Sequence, residues 1–271
     1  MRMRHPCHLL KKILPVHGFA MLLLVITCQA APGQAGRFLQ LGGGFQLAAE
    51  RDSGFSPLAF SGAGAFAAVS WLREKEAKTD MIEGSYTSVS LNNRFGSAMG
   101  IRSAGLMVWH FYHAGGDPGG GMQWGWSNHN AFSVRDNEAA NNFNHRFDYF
   151  TSFGPAARFR HSFSMLNRTF TVQALMHIQL VGFVIQSSYV SQSPAGYEVE
   201  TIGGLDVFRR SVEWFLPGQA WDVGVWPSLV YATGRGNRFS LNYRYGFTRL
   251  DGAHSVTKSR GFWFIGIHAG I

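Results

Sequence analysis

Beyond residue 31 the chain contains no cysteine; its only two are Cys7 and Cys28. A disulfide framework and thiolate chemistry are thereby excluded for the rest of the sequence. Also missing after residue 31 is any apolar run of the roughly 20 residues that a transmembrane helix needs. A large charge excess is missing too. The formal charge is +8, but Arg2, Arg4, Lys11 and Lys12 all precede residue 13; without them 20 Lys and Arg face 16 Asp and Glu, a net +4. So small and scattered an excess makes no basic stripe, and no recognisable nucleic-acid module accompanies it. No nucleic-acid partner is expected.

What is present begins with an export signature. The four basic residues, with no acid among them, precede the apolar stretch Phe19-Ala20-Met21-Leu22-Leu23-Leu24-Val25-Ile26 and the small residues Ala30, Ala31 and Ala35. That order of basic, apolar and small segments is the order of a secretory signal peptide. Cleavage is expected near Ala30 or Ala31, giving a signal peptide over 1–31 and a single domain over 32–271. One alternative is an N-terminal membrane anchor, for which the uninterrupted apolar core is short. Another is a lipid on Cys28, since Val25-Ile26-Thr27-Cys28 looks like a lipoprotein cleavage box, although Thr27 is a poor residue before the cut.

The end of the chain alternates. Phe239, Leu241, Tyr243, Tyr245 and Phe247 fall on one face, and Ser240, Asn242, Arg244, Gly246 and Thr248 on the other. Trp263, Ile265, Ile267, Ala269 and Ile271 repeat the pattern. A period of two is that of an extended strand. An aromatic apolar face backed by polar residues suits a strand between lipid and a polar lumen, and an edge strand of a soluble sandwich alternates as well. The 23 Phe and 8 Trp demand either a large core or a lipid phase. In a bilayer, a chain without spanning helices is left with the closed barrel, where every backbone group is paired.

Strands are expected at 38–49, 58–72, 81–91, 99–112, from 122 onward, 145–163, after a tight turn at 165–168, from 221, and as the final pair. Loops are expected at 127–144, which is rich in asparagine, and at 191–218, with a short helix around 204–214. The count is ten, with twelve as the rival if 169–190 splits. With both ends of the domain in the periplasm, turns fall there at 73–80, 113–121, 164–168 and 234–237, and the two longest loops face outward. The expected fold is therefore an all-β, antiparallel, up-and-down transmembrane barrel, immersed in outer-membrane lipid.

Several of these residues carry a resemblance. Trp124-Gly125-Trp126-Ser127-Asn128-His129-Asn130-Ala131-Phe132-Ser133-Val134-Arg135 and Phe150-Thr151-Ser152-Phe153-Gly154-Pro155-Ala156 resemble uncharacterised outer-membrane β-barrels of the Bacteroidetes type. So do Gly42-Gly43-Gly44-Phe45 and the run from Ser56-Pro57-Leu58 to Ser61-Gly62. The last strand is similar to the C-terminal signal read by the barrel-assembly machinery, but it ends on Ile271 where the better-known signal ends on an aromatic residue. The resemblance implies fold, location and that assembly partner, and no activity.

The residues that could carry chemistry are few. His110 and His113, three apart on a strand, point to opposite faces and cannot share an ion. His129, Asp136, Glu138 and His145 could converge in the 127–144 loop, but they lack the compact spacing of a structural metal site. Ten strands is also the size of omptin-type proteases. Asp136, Asp148, His129 and His145 are the local candidates for their acid pair and His–Asp couple, and they fit no motif. No Gly-x-Ser-x-Gly elbow supports a lipid hydrolase. The glycine clusters at 42–44 and 119–121 precede no helix and are not phosphate loops. No catalytic residue, metal ligand or cofactor is assigned. Arg102, Arg158, Arg160 and Arg244 are expected to share the lumen with Glu83, Asp148 and Asp222, pairing because an unpaired buried charge is costly. Trp109, Trp221, Tyr231 and Trp263 are expected at the bilayer boundaries. The resulting expectation is a barrel with a filled lumen that presents the loops 127–144 and 191–218 for structural or binding roles. A narrow channel for small, anionic solutes comes second and a surface hydrolase third.

Overall fold

The computed structural model describes residues 36–53, 56–75, 77–113, 121–137, 145–186, 212–233, 236–251 and 255–271. The expected signal peptide lies outside these, as does 191–211, most of the second expected loop. The strands are β1 (Arg37–Asp52), β2 (Ser56–Glu74), β3 (Lys78–Asn92), β4 (Ala98–His113), β5 (Gly121–Asn137), β6 (His145–Met165), β7 (Arg168–Gln179), β8 (Val181–Gln186), β9 (Val212–Phe215), β10 (Ala220–Ala232), β11 (Arg238–Asp251) and β12 (Ser255–Gly270).

Antiparallel ladders join β1 through β7 in sequence order, then β7 to β10, β10 to β11 and β11 to β12. Finally β12 pairs back onto β1, from Phe38–Gly270 to Asp52–Val256. The result is a closed barrel of ten strands. The remaining two are extensions of wall strands: β8 carries β7 onward along β6, and β9 leads into β10 and pairs with β8. The break that a split of 169–190 would need does exist, at Leu180. It adds no strand to the wall, so ten is the wall count.

Closure at β1–β12 depends on small residues. A Cβ on Gly44 would stand 1.9 Å from the carbonyl oxygen of Trp263, and one on Gly42 would stand 2.9 Å from the ring of Phe264. No side chain fits at Gly44, so the run Gly42–Gly44 marks a close backbone approach between the first and last strands. At the β6–β7 hairpin, Leu166 (φ 53°) and Asn167 (φ 58°) are both left-handed, as a two-residue connection requires to match strand twist.

The termini and the short turns at 75–77, 166–167 and 233–237 share one end of the barrel, which is the periplasmic end in barrels of this kind. Gln186 at the end of β8 and Val212 at the start of β9 lie at the opposite, outer end. The faces follow the alternation. Phe239, Leu241, Tyr245, Trp263 and Ile265 are exposed on the outside, whereas Ser240, Asn242, Arg244, Phe264 and His268 are buried in the lumen. An exterior this apolar belongs in lipid. Among the described residues no helix is long and apolar enough to cross a membrane.

Four sequence expectations need correction. The 127–144 loop is mostly strand, because β5 continues to Asn137. Asn128 and Asn130 are in the wall: Asn128 Nδ2 donates to the Ser152 carbonyl (2.8 Å), and Asn130 Oδ1 accepts from Thr151 (2.8 Å) and Tyr149 (3.1 Å). The helix expected around 204–214 is also not formed where it can be seen, since Val212–Phe215 is β9 and the remainder lies outside the described residues. Trp109 is no boundary residue; it is 1% exposed inside the barrel, packed on Phe111 and Trp226. Arg102 faces outward and pairs with Asp136. On β4 both faces are apolar, so alternation alone could not tell which one faced the lumen.

The face assignment has a depth-dependent consequence. Tyr243→Arg should cost about 2–4 kcal/mol, the range for an arginine at mid-bilayer on a barrel exterior, while Asp251→Arg on the same strand near the outer rim should cost about 0–1. Urea unfolding of the lipid-reconstituted variants, read by heat-dependent gel migration, measures both. Equal losses would contradict the assigned depth.

Candidate functional site

Inward side chains stack in three charged layers along the lumen. At the outer end, β1 contributes Glu50 and Asp52, β5 Arg135, β6 Asp148 and β12 Lys258. Arg135 is the hub, 2.7 Å from Glu50 and 2.8 Å from Asp52, and it also pairs with Asp148. Lys258 Nζ lies 3.6 Å from Asp148. Beside this hub pack Phe60, Val89, Leu91, Met99 and Ile101, and a second group of Val184, Phe215, Ala220, Leu250 and Val256.

The middle layer is built around Arg244 of β11 and Glu83 of β3. The guanidinium meets both carboxylate oxygens in a two-pronged pair, the geometry that suits planar arginine to carboxylate. Ser70 donates to Glu83 at 2.8 Å. Aromatic rings surround the cation: Trp226 lies 4.2 Å away, Phe264 4.3 Å and Phe66 5.4 Å. Next to it His129 Nδ1 lies 3.1 Å from Asp222, which also accepts from Thr248 at 2.9 Å. His177 is wedged against Trp109 and Trp226. Gly224 makes room for it, because a Cβ there would be 2.2 Å from the imidazole. A cavity of about 100 Å³ remains among these groups, lined by Glu83, His129, Asp222, Arg244 and Arg260.

Toward the periplasm, Trp109, Phe111, Met107, Ala156 and Leu175 form an apolar layer. Beyond it Glu74 of β2 accepts from three arginines: Arg158 and Arg160 at 2.9 Å each, and Arg238 at 3.3 Å. Arg158 also donates to Gln173 at 3.1 Å and to Thr79 at 3.3 Å. A second cavity of about 210 Å³ opens here.

The expected lumen set is thus largely assembled: Arg158, Arg160, Arg244, Glu83, Asp148 and Asp222 all point inward and are paired. Arg102 is the exception. Of the four candidates of the expected loop, the two whose side chains are described, His129 and Asp136, do not meet. His129 faces the lumen, Asp136 faces outward to Arg102, Glu138 lies outside the described residues, and no side-chain position is described for His145. Asp148 is held in the outer hub. Among the described residues no group of three or more His, Cys, Asp or Glu could hold a metal. His110 lies outside against Asp80 and His113 inside near Gln123, on opposite faces as expected.

Sequence reasoning missed Glu50, Asp52, Glu74, Arg135, Arg238 and Lys258. The signal was parity. Glu50 and Asp52 are in phase with Gln40 and Gln46, and Arg135 with Ser127 and Ser133, yet they sat in stretches assigned to turns and loops.

A closed ten-stranded wall, an apolar aromatic exterior and an interior of paired charges define an integral outer-membrane β-barrel. No family model and no curated protein matches the chain. Among solved structures it is similar to the translocator domain of the autotransporter NalP from Neisseria meningitidis: 10% identity, 93% of this chain and 95% of that one covered, TM-score 0.34. It is similar also to the outer membrane protein OprG from Pseudomonas aeruginosa (8%, 88% and 98%, 0.34). A third is a deletion mutant of the monoaromatic hydrocarbon channel TodX (7%, 88% and 91%, 0.35).

Removing one partner of the central pair leaves a buried charge unmatched, which typically costs about 3–5 kcal/mol, whereas replacing both by apolar residues is often neutral. Glu83→Leu should therefore destabilise the barrel strongly, and the double variant Glu83→Leu/Arg244→Met should recover most of the loss in urea unfolding. A double variant as weak as the single one would show that Arg244 is not held chiefly by Glu83.

Proposed function

We propose that this protein is an outer-membrane barrel with a filled lumen, serving a structural or binding role through its outer connections 138–144 and 187–211. The observation that carries this is the mid-barrel cross-section. The Arg244–Glu83 pair, ringed by Trp226, Phe264 and Phe66, occupies the middle of the lumen between two further layers of paired charge. Small barrels of this kind are filled by their own side chains, and open aqueous channels belong to wider ones. Export by a signal peptide over 1–31, insertion by the barrel-assembly machinery and kinship with barrels of the Bacteroidetes type belong to the same proposal, supported by the residues quoted for each.

A second reading is a narrow channel for small anionic solutes, favoured by the excess of arginine over carboxylate at the periplasmic mouth. Single-channel recording of the refolded protein from residue 32 onward decides between them. A filled barrel should be silent while showing heat-dependent gel migration. Discrete current steps that shrink or change selectivity in Arg158→Gln or Arg244→Gln would replace the first reading with the second.

A further inference from the structure

The periplasmic cavity has an excess of positive charge that the other two layers lack. In the outer hub, Arg135 and Lys258 are set against Glu50, Asp52 and Asp148. In the middle, Arg244 is matched one to one by Glu83. At the periplasmic end, among the described residues, three guanidiniums converge on the single carboxylate of Glu74, an excess of two positive charges. The side chains lining the 210 Å³ cavity include Arg158, Arg160 and Arg238 and no acid. Like charges brought together out of bulk water repel, and they persist at low cost only where something neutralises them.

Donor capacity remains after Glu74 is served. Each guanidinium carries five N–H groups. Arg160 reaches Glu74 through Nη1 and its buried Nε has no partner; Arg238 reaches Glu74 through Nη1. His268, 4% exposed and on the same wall, is bonded to Ser240 through Nε2 at 2.9 Å, and its buried Nδ1 has no partner. The hydroxyls of Ser162, Thr169 and Thr171 complete the lining. Arginine forks with hydroxyls and an imidazole beside them form a donor set suited to a tetrahedral or planar oxyanion.

We propose that this vestibule is a binding site for a small oxyanion taken from the periplasm, a dianion of the phosphate or sulfate class matching the two excess charges. The site is reached from the end that carries the termini and needs no path through the lumen. A barrel silent in conductance leaves it intact. Its walls are inward faces of β2, β6, β7, β10, β11 and β12, so the ligand is a free solute rather than the headgroup of a bilayer lipid.

Isothermal titration of the folded protein at low ionic strength, with sodium phosphate, sodium sulfate and sodium chloride in turn, tests this. One saturable site for phosphate or sulfate, with chloride far weaker, is expected. Arg160→Gln and Arg238→Gln should each weaken binding about tenfold or more, the usual effect of losing a charge-assisted hydrogen bond. Arg249→Gln, on the exposed outer rim, should leave it unchanged. Should either lumen variant fail to fold by gel migration, protection of the wild type against urea by phosphate, compared with chloride at equal ionic strength, supplies the same answer. Absence of saturable phosphate or sulfate binding by a folded barrel overturns the proposal, as does equal loss in Arg249→Gln. The titration is repeated in nanodiscs of phosphatidylcholine with and without phosphatidylglycerol. Unchanged phosphate affinity supports a free solute, and loss of binding in the anionic lipid overturns that assignment in favour of a headgroup.

Discussion

Hydrocarbon offers no hydrogen bonds, so a strand crossing it must have both edges paired. The β1–β12 ladder meets that demand, and everything else in the molecule is arranged around it. It joins the two ends of the chain, which are the most distant in sequence, and it runs nearly the whole length of both strands. Its tightness depends on glycine at 42 and 44, where the backbones of the first and last strands approach too closely for a side chain at Gly44. Once the ring is closed, its circumference is set by ten strands, and that circumference fixes how much space the interior must fill.

Filling that space with charge has an energetic cost. Desolvating an ion costs several kcal/mol, repaid only when its partner has good geometry. The central layer achieves this with a two-pronged pair, a serine donor and three aromatic faces around one guanidinium. The outer hub does it by sharing one arginine among three carboxylates. The apolar cluster of Met107, Trp109, Phe111, Ala156 and Leu175 separates the middle layer from the periplasmic one. Because the polar layers are joined to the wall at strands far apart in sequence, they also fix the register of those strands relative to one another. A one-residue slip would turn Glu83 or Arg244 toward lipid.

Much of this was legible in the sequence, and the failures share one cause. From Phe239 to Thr248 on β11 the outward residues are aromatic or aliphatic and the inward ones polar or glycine, so Tyr243 and Asn242 could be placed from periodicity alone. The ten-strand count followed from parity and turn chemistry. On β4 the contrast vanishes: Leu106 and Val108 face out while Met107 and Trp109 face in, and a period of two between apolar residues carries no direction. On β5 the contrast is locally reversed, since Asn128 and Asn130 lie on the outside and satisfy each other and β6 by hydrogen bonds. Composition read them as loop because it counts polar groups and cannot count their partners. The candidate site was half visible for the same reason: the lumen charges in well-patterned strands were found, while Arg135 and Glu74, at strand ends, were not.

The wall changes register where β7 passes into β8 and β9 into β10. Gln179 faces Asp222, but Gly182 already faces Phe215, so the turn Leu216–Gln219 takes up four extra residues on one side only. A left-handed Gly218 and the Gln219 amide hydrogen-bonded to the Leu216 carbonyl make that turn a self-contained unit. Beyond that step β8 stays laddered to β6 and β9 to β8, so the outer hairpin prolongs the wall, and the segment 187–211 joins its far ends. Insertions, deletions or wholesale exchange of that segment would leave the hydrogen-bond frame below untouched.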